Sequence, residues 1–214
     1  MMHLPQSEAM RRNMVDSQLR PSGVNTPWVL AAMLETPRED FITGDKSAAY
    51  MDRSLPLGEG RCLNPPVSLG QMLMLADVSP TDRVLLVGAG TGYLATLLKR
   101  RVQSLVAVEE SPALAAAFGT ACPEVKLVNG PLADGAAEHA PFDIIIIDGA
   151  IARLPESLIA QLAEGGRIVT GLLDGPVSRL ASGIKRGGHV ALRPALDLEI
   201  AALPGFAPAK EFVF

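Results

Sequence analysis

The stretch Val84-LLVGAGTGYLATLLKRR-Val102 decides how the rest of the chain is read. The apolar run Arg83–Val87 leads into Gly88, Gly90 and Gly92, spaced G-x-G-x-G, and an apolar-periodic segment follows to about Arg101. The pattern predicts a strand, a bare turn and a helix. Glycine permits positive φ and removes the Cβ, so a ligand can approach the main chain there. The start of the helix adds unpaired N–H groups.

Two ligand classes compete for such a turn. A dinucleotide fingerprint needs G-x-G-x-x-G, its third glycine letting helix and strand pack closely under a pyrophosphate. The residue three after Gly90 is Tyr93, and the third glycine falls at Gly92 instead. That loop suits a ligand without a pyrophosphate, such as S-adenosylmethionine. An acid at the end of the next strand should then accept hydrogen bonds from the ribose hydroxyls. Val106-Ala-Val-Glu109 supplies it, 19 positions after Gly90, close to the usual spacing of about 20. Gly88, Ala89, Gly90, Gly92 and Glu109 are therefore the candidate cofactor-binding residues. Asp148, ending a later strand, either joins them or caps the turn that follows.

Outward from this stretch the rhythm is strand and helix in alternation. Leu105–Glu109, Val125–Val128, Phe142–Asp148 and Arg167–Gly171 read as strands, and Ala113–Ala121 and Pro155–Leu162 as helices. Strands apolar on both faces predict a parallel sheet covered on both sides. The expected fold is α/β, a Rossmann-like doubly wound, mostly parallel sheet. Before it, Ser7–Leu19, a segment opened by Thr26-Pro27, and a segment from Pro65-Pro66 to about Asp77 read as helices, with Thr26 as a cap. Phe41–Asn64 reads as long loops with a short strand pair. At the far end, His189–Leu196 and Glu211–Phe214 are expected to form an antiparallel pair closing at Pro204-Gly205. The division expected is 1–79, a helical and substrate-covering segment, and 80–214, the ligand-binding unit, together forming one compact body.

Composition narrows the function classes. The 214 residues are 48% apolar with a formal charge of −4, so no broad basic surface awaits nucleic acid or anionic lipid. The two cysteines, Cys62 and Cys122, fit neither a disulfide framework nor metal-ligand spacing. A reducing cytoplasm is the expectation. No apolar run reaches the roughly 18–20 residues of a membrane span, and the polar N-terminal stretch is unlike a secretory signal. The three histidines form no ligand pattern, and no metal is expected.

The motifs taken together resemble those of the protein-L-isoaspartate O-methyltransferases, within the class I methyltransferases. Pro37-REDF-Ile42, Ala49-Tyr50-Met51-Asp52, Leu55-PLGEGRCLNPP-Val67, the glycine loop and Ala140-PFDIIIIDG-Ala150 follow that family's order from about residue 10 to 175. The resemblance implies the class I methyltransferase fold and S-adenosylmethionine as methyl donor. It also implies a protein or peptide substrate carrying isoaspartyl residues, or another carboxylate acceptor. Arg61–Pro65 would cover the donor and hold the acceptor, which makes Asn64 and Cys62 the candidate catalytic residues. Four departures stand out. The family's Thr-Ile-Ser is Cys62-Leu63-Asn64, and its acidic residue two before the first glycine is Leu86. Its Gly-Asp-Gly is Gly130-Pro131-Leu132, and its Thr-Ala-Ala is Asp148-Gly149-Ala150. A methyltransferase with another acceptor and a non-catalytic module that binds the donor or its demethylated product are the alternatives.

Overall fold

The computed structural model describes residues 6–206. In chain order the elements are α1 (Gln6–Met14), continued by a π-helical turn over Val15–Leu19, α2 (Pro27–Glu35), β1 (Leu55–Gly58), β2 (Arg61–Leu63) and α3 (Pro66–Ala76). Then come β3 (Arg83–Val87), α4 (Tyr93–Leu98), β4 (Ser104–Glu109), α5 (Pro112–Ala121) and β5 (Lys126–Asn129). The last described elements are β6 (Phe142–Ile151), α6 (Glu156–Gln161), β7 (Leu162–Asp174), β8 (Val177–Arg186), β9 (His189–Val190) and β10 (Arg193–Asp197).

The helix starts follow from local chemistry. Proline stands at the first helical position of α2, α3 and α5, where a missing N–H costs nothing. The Ser111 hydroxyl accepts from the N–H of Leu114 at 3.2 Å and caps α5. Thr26 occupies the cap position of α2, but its side chain makes no capping bond; Pro27 alone supplies the start signal.

The large sheet runs β10-β8-β7-β6-β3-β4-β5. β5, β4, β3, β6 and β7 are parallel, and β8 and β10 are antiparallel additions. The chain enters at β3, builds outward through β4 and β5, then crosses to β6 on the other side of β3. Strand order therefore reverses between β3 and β6. The carboxyl ends of those two strands flank the crevice where such sheets bind ligands.

Alternate residues of β3 face two separate apolar layers. Val84 and Leu86 join the layer formed with the N-terminal helices, α3, α4 and α5. Leu85 and Val87 join Leu132, Phe142, Leu158 and Leu162 on the other side. Each such buried side chain contributes about 1.5–3 kcal/mol. Leu86 is wholly buried, so this position serves the core.

The tail carries antiparallel strands. β7 runs on through Asp174 and turns back as the long β8, and β10 then pairs with β8. Glu211–Phe214 lies outside the described residues. Pro204-Gly205 does form a turn, but the segment containing it crosses the carboxyl edge of the sheet: Ala150 and Ala202 form an isolated parallel bridge. Among the described residues no helix is long and apolar enough to cross a membrane. Nor do three or more His, Cys, Asp or Glu side chains gather as a metal site.

Candidate active site

The glycine loop leaves β3 with φ of +80° at Gly88, +55° at Gly90 and +97° at Gly92. A side chain at any of the three would strain the backbone. The N–H groups of Gly88 and Ala89 both donate to the carbonyl of Val108, at 3.0 and 3.1 Å, which ties the loop to β4. The glycines then divide their roles. A Cβ built on Gly92 would lie 3.3 Å from both Cys122 Sγ and Phe118 Cδ2, so Gly92 lets α4 pack close to α5. Gly88 and Gly90 face the crevice.

Glu109, at the end of β4, is fully buried. Its Oε2 accepts from the N–H of Gly90 at 2.7 Å. Its Oε1 accepts from the N–H groups of Glu110 and Ser111, each at 3.0 Å, and from Arg61 Nη1 at 2.7 Å. The Arg61 and Glu109 side chains are 4% and 0% exposed, so this is a buried ion pair.

The β1–β2 hairpin carries Arg61 over the loop. Leu57, on β1, lies with its Cδ1 3.4 Å from a Cβ built on Gly90. Arg61 Nη2 lies 3.1 Å from one built on Gly88, and both methyls of Leu203 lie 3.2 Å from it. Burial alternates along β2, with Arg61 and Leu63 inside and Cys62 half-buried. Burial pushes the Cys62 thiol above its usual pKa, against the opposing pull of the Arg61 cation. A protonated thiol is a poor nucleophile.

Asn64 follows the hairpin and is almost fully buried. Its Nδ2 donates to Asp148 Oδ1 at 2.7 Å, and its Oδ1 accepts from the N–H of Ala201 at 2.8 Å. Asp148 reaches it because β6 bulges between Ile146 and Ala150, which re-aims the side chains at the strand end. Burial raises the Asp148 carboxyl to about 6, against the hydrogen bond from Asn64 and the nearby Arg61 and Arg38 cations.

Arg38 is the residue that sequence reasoning passed over. In Pro37-REDF it looks like a surface charge, yet it is fully buried. Its Nε donates to the carbonyl of Ala49 at 2.8 Å, and its Nη2 donates to the carbonyl of Asn64. The guanidinium carbon sits 5.0 Å from the centroid of the Tyr93 ring. One cation thus holds two loops and the covering segment together. Burial lowers its pKa. Arg38 and Arg61 together balance Glu109 and Asp148. Tyr50 and Asp52 are tied into the scaffold: the Tyr50 hydroxyl donates to Glu39, and Asp52 Oδ1 accepts from the N–H of Val67 at 3.0 Å in the first turn of α3.

The predicted residues therefore gather at one edge. Gly88, Ala89, Gly90, Glu109, Asn64 and Asp148 converge on the crevice, Gly92 faces α5, and Cys62 lies on the half-buried side of the hairpin. The residue types suit an adenosyl ligand: a bare loop, a buried carboxylate and a topological switch point. The space in this conformation does not, because Leu57, Arg61 and Leu203 fill the front of the loop. An open groove of about 480 Å³ lies beside α2 and α4 and one of about 510 Å³ beside α4 and α5; neither is lined by Gly88, Gly90 or Glu109.

Residues 10–191 match the model of the family described as protein-L-isoaspartate(D-aspartate) O-methyltransferase. The chain belongs to this family. A protein-L-isoaspartate O-methyltransferase of Koribacter versatilis is 33% identical over 209 residues, covering 94% of each chain. One from Roseiflexus castenholzii is 38% identical over 165 residues, 74% of this chain and 75% of that one. Among solved structures, a protein-L-isoaspartate O-methyltransferase superposes with a TM-score of 0.78 at 22% identity, covering 92% of this chain and 67% of the other. A structure from Plasmodium falciparum, described as a member of the same family in complex with S-adenosyl-L-homocysteine, gives 0.75 at 20% identity, covering 93% and 98%. At those identities the structures speak for the fold. Both ends of the Asn64 amide are engaged inside the chain.

Proposed function

We propose that the protein is an S-adenosylmethionine-dependent carboxyl O-methyltransferase acting on isoaspartyl residues of damaged proteins, in the cytoplasm. The family match across residues 10–191 carries this reading. Gly88, Ala89, Gly90 and Glu109 are the residues assigned to the donor, within a unit spanning 80–214. Residues 1–79 supply the cover, with Asn64 and Asp148 at the acceptor side. Gly92 supports the loop from beneath.

The acceptor chemistry asks little of the protein as an acid or base. A carboxylate with a pKa near 4 is already ionised at neutral pH. The donor, when bound, supplies the methyl group. The chain's contribution is to strip water from the acceptor oxygen and align it, which can lower such a barrier by about 7–11 kcal/mol. Asn64 donates to Asp148 and accepts from the tail, so an isoaspartyl carboxylate must either displace these contacts or bind beside them. That observation favours one second reading, a methyltransferase of the same fold with a different acceptor.

The test is transfer of labelled methyl to an isoaspartyl peptide, with the matching aspartyl peptide as control. Base-labile label on the first peptide alone is expected. Label on neither, together with measurable binding of S-adenosylhomocysteine, would transfer the conclusion to the second reading.

A further inference from the structure

Asp148 is a buried carboxyl with one oxygen anchored and the other on offer. It stands where β6 bulges at the carboxyl edge of the sheet, beside the crevice such sheets use for ligands. The backbone next to it is fixed. The Thr170 hydroxyl donates to the Gly149 carbonyl at 3.1 Å, and Ala150 is bonded through both its N–H and its carbonyl, to Ala201 and Leu203, each at 2.8 Å. Asn64 Nδ2 donates to Asp148 Oδ1 at 2.7 Å. Oδ2 has no hydrogen-bond partner among the described residues, and the residue keeps 9% of its surface open. The surrounding charges do not pair with it. Arg61 is committed to Glu109 at 2.7 Å, and Arg38 to the carbonyls of Ala49 and Asn64. Glu109 opposes its ionisation, and burial outweighs the pull of the two cations.

We infer that Asp148, as a neutral carboxylic acid, donates from Oδ2 to the acceptor carboxylate and holds it behind the donor's methyl group. The inference rests on the isoaspartyl reading above and names a residue that binds that substrate. Two carboxylates in hydrogen-bond contact, about 3 Å apart, cannot both be ionised. The attacking oxygen has to be ionised, so the one proton of the pair belongs on Asp148. In the transfer, one acceptor oxygen forms the bond to the methyl carbon, and the carbon–sulfur bond breaks with its electron pair left on sulfur. The proton stays on Asp148, donating to the acceptor's other oxygen. Asn64 decides which oxygen carries it. Its Oδ1 accepts from the Ala201 N–H at 2.8 Å, so its amide faces Asp148 with donors only. Oδ1 of Asp148 must then accept, and the proton goes to Oδ2.

The test follows initial rates of methyl transfer to an isoaspartyl peptide from pH 5 to 8, with S-adenosylmethionine saturating. The proteins are the full-length wild type, Asp148→Asn and Asp148→Ala. Wild-type kcat/KM is expected to fall about tenfold per pH unit above about 6. The fall should enter through KM, while kcat holds level to higher pH, because the bound carboxylate keeps the proton on Asp148. The limb does not belong to histidine: His139 and His189 lie at the amino edge of the sheet. Asparagine presents an NH₂ in place of Oδ2–H at every pH. Asp148→Asn should therefore lose the fall and exceed wild type at least about tenfold at pH 8. Asp148→Ala should lower kcat/KM about tenfold at pH 5.5. A wild-type profile level from pH 6 to 8, an Asp148→Asn protein that still falls or is inactive throughout, or an Asp148→Ala protein indistinguishable from wild type would each overturn the role of Asp148. So would an affinity for S-adenosylhomocysteine, measured by calorimetry, that follows the same pH limb. All four leave methyl transfer to isoaspartate standing. No label on the peptide from the wild type at any pH would overturn both.

Discussion

Replacing Glu109 by glutamine tests the centre of the site. Four N–H donors converge on the carboxylate, one of them the Arg61 cation at 2.7 Å, and both side chains are closed to water. Charge centres about 4 Å apart attract by about 4 kcal/mol at an effective dielectric of 20. Glutamine removes that attraction and leaves Arg61 buried beside Asp148 alone. It also turns an NH₂ either toward Gly90 N–H or toward the three donors at the other oxygen. Removing one partner of a buried pair costs about 3–5 kcal/mol, a large share of the roughly 5–15 kcal/mol that holds a domain together. Arg61→Met should cost less, about 2–4 kcal/mol, because three backbone N–H groups still stabilise the carboxylate. The double variant Arg61→Met/Glu109→Gln leaves no orphan charge and should cost no more than the worse single change. Urea titration followed by circular dichroism at pH 7.5 supplies the cycle. A coupling of at least about 2 kcal/mol is expected, with little change between low and high salt because the pair is shielded from solvent. A cost below about 1 kcal/mol for Glu109→Gln, or additivity within about 0.5 kcal/mol, would refute the buried pair.

Three further outcomes follow from the same geometry. Asp148 holds its proton more tightly folded, near 6, than unfolded, near 3.8. Its contribution to stability is therefore full below the unfolded value and lost as pH rises through about 6. Asp148→Asn should stabilise by about 2–3 kcal/mol at pH 7.5, and the gain should vanish toward pH 4; a pH-independent difference in thermal unfolding would contradict this. Arg38→Met leaves the carbonyls of Ala49 and Asn64 without their donor and should cost about 2–4 kcal/mol, with Arg38→Lys rescuing less than half because lysine lacks the planar fork; chemical denaturation reads both. Gly92→Ala adds a methyl at φ +97° against Phe118 and Cys122, and should lower the free energy of unfolding by about 1–3 kcal/mol. The same change at Gly119, where a Cβ meets nothing within 4 Å, is the control.

Much of the fold was legible because its signals are local. Val84–Val87 is apolar at every position, and a strand in the middle of a covered sheet must be. Proline at the first helical turn and glycine at positive φ act within a few residues, so α2, α3, α5 and the turn after β3 could be placed from the chain alone. Glu109 could be found because a strand and a helix of ordinary length separate it from the loop. Arg38 could not, since an arginine in a polar stretch reads as solvated until three loops close over it. The β8 hairpin escaped because the half-exposed pattern of Val177–Arg186 is that of a strand with one face in water. Its pairing with β7 is decided by register across the sheet.

By itself the sequence determined that a bare loop and an acid would meet at the carboxyl edge of a parallel sheet, because short-range backbone sterics and strand periodicity suffice for that. Only the tertiary structure decided what stands in front of the loop. Arg61 reaches Glu109 across 48 positions, and the Ala201 N–H reaches Asn64 across 137. No local propensity encodes such contacts. They arise when packing brings a hairpin and a tail together over one buried charge that must find a partner.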